Sequence, residues 1–181
     1  SQYPCVIHPR IVRIFIKDIY LPFWIVIIRP VIIRGLDIAA GYHPENLEGA
    51  ALSDLDAVRA LCAHPKVVAV GEIGLDLFGD DPQFERQQWL LDEQLKLAKR
   101  YDLPVILHSR RTHDKLAMHL KRHDLSRTGV VHGFSGSLQQ AERFVQLGYK
   151  IGVGGTITYP RASKTRDVIA KLPLASLLLE T

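Results

Sequence analysis

The sequence predicts a parallel α/β fold, and within that class most of a (β/α)8 barrel, on three observations. From Leu36 onward, short apolar runs alternate with amphipathic stretches. The runs start roughly 20–37 residues apart, the size of one strand–helix repeat. His, Glu and Arg recur just past the runs, where parallel sheets carry their chemistry. A doubly wound open sheet shares the first two features. A closed barrel takes eight strands and about 250 residues. Six runs follow Leu36 in this chain of 181 residues. The expectation is a barrel that is incomplete at both ends.

Residues 1–35 stand apart as an atypical Ile/Arg-rich segment, and residues 36–181 form the barrel portion. The β-branched residues of the first segment favour short strands at Ile11–Ile16 and Trp24–Ile28. Two ordinary crossover helices do not fit there as well. Its non-periodic wording fits either a shifted reading frame or a genuine replacement. Its longest charge-free stretch, Ile19 to Ile28, holds ten residues and is broken by Pro22. A membrane-spanning helix needs about 18 or more apolar residues, so no span is expected. Scattered arginines also argue against a secretory leader.

The strands of the barrel portion are expected at Leu36–Ala40, Val67–Val70, Val105–Leu107, Val130–Val131, Ile151–Val153 and Leu177–Leu179. Between them lie the helices. Ser53 is placed to cap the first, with Leu55, Val58, Leu61 and Cys62 at helical spacing. Pro82 to Tyr101 is the longest, with Phe84, Leu90, Leu91, Leu95 and Ala98 on its inner stripe. Thr112–Arg122, Ser137–Leu147 and Ser163–Lys171 supply the rest, and Gly148 stops the second of these. The apolar run at Leu177 leaves strand faces that need cover, so low solubility or self-association is expected.

Composition narrows the partners. Lys and Arg number 23 against 19 Asp and Glu, a net charge of +4. That tolerates nucleic acid but is no strong electrostatic signature. The two cysteines, Cys5 and Cys62, support neither a disulfide framework nor a thiolate zinc site. A reducing, cytoplasmic setting is the default expectation.

The strand tips carry the chemistry. They read Gly41-Tyr42-His43-Pro44, Gly71-Glu72-Ile73-Gly74-Leu75-Asp76, His108-Ser109-Arg110 and His132-Gly133-Phe134-Ser135-Gly136. A lone histidine at a tip is more often a satisfied loop residue than a ligand. Glu72, His108 and His132 on three consecutive tips make a stronger pattern, because barrel tips converge on one mouth. Imidazole and carboxylate are the ligand types of divalent ions such as Zn, Mn, Co or Ni. Such ions activate water and polarise phosphoryl or carbonyl oxygens.

Other features read as structure. His119 and His123 are four apart on a charged helix, which favours a solvated face. Glu85, Arg86, Asp92, Glu93, Lys96, Lys99 and Arg100 make a salt-laced outer surface. Gly152-Val-Gly-Gly155 gives the backbone room near the mouth. Arg110 and Arg111 can hold phosphate but are most often solvated. Asp76 supports its own loop or orients a ligand. No G-x-G-x-x-G follows the first strand–helix turn, which argues against a Rossmann-like binder.

The motifs Val70-Gly-Glu-Ile-Gly-Leu-Asp76, Pro104-Val-Ile-Leu-His-Ser-Arg110, Val130-Val-His-Gly-Phe-Ser-Gly136, Ile151-Gly-Val-Gly-Gly155 and Leu177-Leu-Leu-Glu-Thr181 occur in order. With Ala39-Ala-Gly-Tyr-His-Pro44, they resemble the successive signatures of the TatD family of metal-dependent deoxyribonucleases. The resemblance implies a (β/α)8 barrel with two divalent ions, Mg, Mn or Zn among the options. It implies hydrolysis of DNA phosphodiesters, typically from the 3′ end. It makes Glu72 the catalytic carboxylate bridging both ions, with His108 and His132 on the second ion. His43 and Arg110 would lie near the substrate phosphate.

Two departures limit the transfer. The family opens with a His-x-His pair that binds its first ion, and this chain has none. The family's final ligand is an Asp after Glu-Thr, and the chain ends at Thr181. At most one ion is therefore expected, on Glu72, His108 and His132. The alternative is a barrel fragment that binds one ion or none and does not catalyse.

Overall fold

The computed structural model describes residues 24–27, 38–45 and 52–180. Among the described residues, seven strands form one sheet in sequence order. Strand β1 (Trp24–Ile27) runs antiparallel to β2 (Ile38–Gly41). Strands β2, β3 (Val67–Asp76), β4 (Val105–Arg110), β5 (Gly129–Val131), β6 (Lys150–Val153) and β7 (Leu177–Leu179) then run parallel. An antiparallel neighbour needs no crossover helix, which is how a strand fits into the short stretch before β2. The expected strand at Ile11–Ile16 lies outside the described residues.

Helices α1 (Leu52–Cys62), α2 (Phe84–Arg100), α3 (His113–His123), α4 (Leu138–Gln146) and α5 (Ser163–Ala170) fill the connections. This is the parallel strand–helix succession of a (β/α)8 barrel, realised in part. Ser53 is the second residue of α1 rather than its cap. Ser137 does cap α4, in a reciprocal capping box with Gln140. Gly148, at φ 93°, follows α4 in the left-handed turn that ends a helix.

Strands β3 and β4 run beyond the ends that hydropathy marks, because their polar tips keep the ladder. Gly74 pairs with His108, and Asp76 with Arg110. Glu72 and His108 therefore sit on strands, not in loops. The β3–β4 register slips between Gly71 and Ile73, so the irregularity falls on Glu72. A local bulge of this kind re-aims a side chain.

One apolar cluster holds the layers together. Ile73, Leu75, Leu107, Val131 and Ile151 from the sheet meet Val58, Leu91, Leu95, Leu116 and Phe144 from the helices. Cys62 belongs to this core, and burial pushes its thiol up to about 11. No described helix is long and apolar enough to cross a membrane.

Two buried glutamines tie α2 to the functional edge. Gln94 accepts from the Tyr42 amide at 2.6 Å and donates to the Tyr42 carbonyl at 3.3 Å. Gln87 accepts from the Asp76 amide at 2.8 Å and donates to the Asp76 carbonyl at 2.8 Å. The two lie seven residues apart, two helical turns, and so share one face. Through them α2 fixes the tips of β2 and β3.

Candidate metal centre

The carboxyl edge of the sheet brings His43, Glu72 and His108 together. Among the described residues, one ligand atom from each lies within 4.8 Å of the others. His43 Nε2 stands 3.6 Å, and His108 Nδ1 3.3 Å, from the same Glu72 oxygen. The two imidazoles also meet edge to face, with centroids 4.4 Å apart.

Proton positions inferred from the hydrogen bonds separate their roles. His108 Nε2 is 2.6 Å from the Asp76 carboxylate. Asp76 is 3% exposed and also accepts the Phe78 amide at 2.8 Å, so it is a fixed acceptor. Asp76 thus holds a proton on Nε2, which makes Nδ1, facing Glu72, the nitrogen that would be offered to a metal once the ring is neutral. His132 repeats the pattern. Its Nδ1 is 2.9 Å from Glu180, whose carboxylate is anchored by the Gly133 amide at 2.9 Å. That leaves Nε2 of His132 as its lone-pair nitrogen. Metal-binding imidazoles commonly donate their second N–H to a carboxylate in this way.

His43 is wired the opposite way. Its Nδ1 accepts the Glu45 amide at 3.2 Å, which puts the proton on Nε2. In this state His43 turns its Nε2–H towards Glu72, 3.6 Å away and beyond hydrogen-bond length, and the ring would have to give up that proton to join a ligand set. His132 acts on Glu72 at longer range, through its charge.

Electrostatics agree with an anionic Glu72. Burial alone would raise its pKa, but the neighbouring His108 and His43 imidazoles and the charge of His132 more than offset that and hold it far below the usual carboxylate range. Burial works against a charged His108, yet Glu72 and Asp76 outweigh it and raise its pKa. Glu180 does the same for His132. A deprotonated carboxylate with the His108 imidazole 3.3 Å away, and His132 acting on it through its charge, is a donor set of the type divalent ions take.

Arg110 lies at the tip of β4, its guanidinium 3.4 Å above the Phe78 ring centroid. Arg111 stands over the same ring at 5.4 Å. The arginine pair is thus packed on an aromatic surface, not merely solvated. His119 is a correction as well. It is 2% exposed, with Nδ1 2.7 Å from Asp92 and Nε2 3.0 Å from Gln88. His123 and Arg122 converge on the same Asp92, closing a polar knot between α2 and α3.

The hydropathy reading passes over Gln87, Gln94 and Glu180. The glutamines had a signal: two amides spaced at seven on an otherwise apolar stripe. Glu180 had a weaker one, a carboxylate ending an apolar strand. Gly152 makes its room, since a Cβ there would lie 2.3 Å from a Glu180 carboxylate oxygen.

Fold and site together define a barrel-type α/β protein with an imidazole–carboxylate cluster at the carboxyl edge of its sheet. The family model described as TatD related DNase matches residues 34–181, and the chain belongs to this family. It is 86% identical over 145 residues to YjjV of Escherichia coli (strain K12), described as an uncharacterized metal-dependent hydrolase; the match covers 79% of this chain and 56% of YjjV. The crystal structure of that protein superimposes with a TM-score of 0.77 at 84% identity, over the same 79% and 56% of the two chains. A Pantoea sp. (strain At-9b) relative, named 3′-5′ ssDNA/RNA exonuclease TatD, is 33% identical over 144 residues, covering 78% of this chain and 55% of the relative. The chain spans little more than half the length of these curated relatives.

Proposed function

We propose that the site is a metal-dependent hydrolase centre that cleaves phosphodiester bonds at the 3′ ends of single-stranded DNA. The observation that carries the reading is the anionic Glu72 with His108, held by Asp76, 3.3 Å away, and with His132, held by Glu180, acting on it through its charge. Glu72, His108 and His132 would hold one divalent ion. The names of the exonuclease relatives support the choice of nucleic acid as substrate.

When bound, the ion supplies an activated water and a Lewis acid for a phosphoryl oxygen. The protein groups do the rest. Asp76 and Glu180 keep the two imidazoles in their ligating tautomers. Glu72, anionic at neutral pH, supplies charge without competing protonation. His43 Nε2–H is aimed at the same region and donates to a substrate oxygen. Arg110, two residues past His108 on the strand, draws the anionic chain to the edge of the site.

The test is release of mononucleotides from a single-stranded 3′-labelled oligonucleotide with added Mn2+ or Mg2+. Release is expected, and Glu72→Gln should lower it by about a hundredfold or more. No release above the Glu72→Gln background would overturn the reading.

A further inference from the structure

Beyond the tips of β4 and β5, next to His108 and His132 in the chain, lies a cavity of about 480 Å3. That is within the roughly 300–1,000 Å3 of small-ligand sites. Arg110, Arg111 and the first turn of α3 form one side, and Gly136 and Gln140 the other. The lining holds Arg110 and Arg111 against a single carboxylate, Asp114, which Gln140 Nε2 approaches at 3.4 Å. His113 lines the cavity too; it is 7% exposed, and its Nε2 has no hydrogen-bond partner among the described residues. At the rim, Phe78 is 53% exposed beneath both guanidinium groups.

We propose that this cavity is a nucleotide subsite, taking the phosphate of the residue adjoining the cleaved bond on Arg110 and Arg111, with Phe78 and the stacked guanidinium planes supporting an unpaired base. The role of Arg110 belongs to the proposed function, on which this subsite rests for the strand that enters; Arg111, Phe78 and the cavity between β4 and β5 extend it. Arginine suits the phosphate because it bonds oxygen bidentately, and the α3 amides add donors on the same side. An exposed aromatic joined to a cationic surface is the ordinary means of holding single-stranded nucleic acid. Gly136 keeps that wall thin, because a Cβ there would lie 2.7 Å from Gln140 Oε1 and 2.9 Å from His113 Cδ2.

The experiment is fluorescence anisotropy of a labelled oligothymidylate tetranucleotide on the intact chain in chelator, where no turnover occurs. Arg111→Ala is expected to weaken binding about tenfold and to reduce the salt slope by about 0.7, one phosphate contact. Arg111→Lys should recover only part, since ammonium cannot make the bidentate pair. Phe78→Ala should weaken binding of the single strand while leaving inorganic phosphate competition unchanged. Far-ultraviolet circular dichroism of each variant controls for folding. Unchanged affinity and salt slope in a folded Arg111→Ala overturn the subsite, whether or not the chain cleaves DNA. Arg111-dependent binding in a chain that never hydrolyses upholds the subsite and defeats only the hydrolase reading.

Discussion

Asp76 and Glu180 decide which nitrogen each site histidine offers. Both are buried: Asp76 takes a backbone amide on Oδ1 and the imidazole on Oδ2, and Glu180 takes both on Oε2. Asp76→Asn keeps the shape but can present its amide N–H to His108, which favours the wrong tautomer. The expected result is a roughly 10–100-fold loss of Mn2+ affinity with an unchanged far-ultraviolet spectrum, read by calorimetric titration. The meeting of Glu72 and His108 at the sheet edge was legible in the sequence because strand tips are where a parallel sheet exposes polar residues; that His43 and not His132 is the third member of the tight cluster was not. The orienting carboxylates were less so. Asp76 stood close enough to its motif to be noticed, but its partner His108 lies on the next strand, 32 residues on. Glu180 reaches His132 across 48 residues, a pairing that no local pattern encodes.

The elements position these residues through a few tight contacts. Gly74 lies where a Cβ would be 1.8 Å from the His108 carbonyl, at φ +154°. Gly74→Ala should therefore pry β4 from β3 and abolish cooperative thermal unfolding. Ser137→Ala should cost about 1 kcal/mol in chemical denaturation, through loss of the α4 cap. The α2–α3 contact adds a pH dependence. Asp92 is opposed by burial, but hydrogen bonds from His119, His123 and Arg122 outweigh that and lower its pKa below the ordinary 3.8. A carboxylate whose folded pKa is depressed stabilises the fold above its unfolded pKa and ceases to do so as pH falls through the folded one. Asp92→Asn should flatten the fall in melting temperature below about pH 4. Helix positions were readable from the sequence because their apolar stripes are periodic. The knot at His119 was not, because a charged helix face reads as solvated until a neighbouring helix covers it.

At the scale of the whole molecule, the proposed ligands come from three strands, β3, β4 and the end of β5. An ion that binds them is bound by the folded sheet and not by the unfolded chain. Saturation at about one hundred times the dissociation constant should stabilise the fold by about 2.7 kcal/mol, seen as a rise in melting temperature with Mn2+ that chelator reverses. The parallel order of β2 to β7 was predictable from alternation and repeat length. The antiparallel β1 was not, since Trp24–Ile27 carries no signal of direction. The most direct test is the stoichiometry and affinity of Mn2+ by equilibrium dialysis on the parent chain, Glu72→Gln, His132→Ala and His43→Ala. The tautomer assignment predicts one ion per chain, lost with Glu72→Gln and His132→Ala and retained with His43→Ala. Binding that survives His132→Ala but is lost with His43→Ala would contradict it.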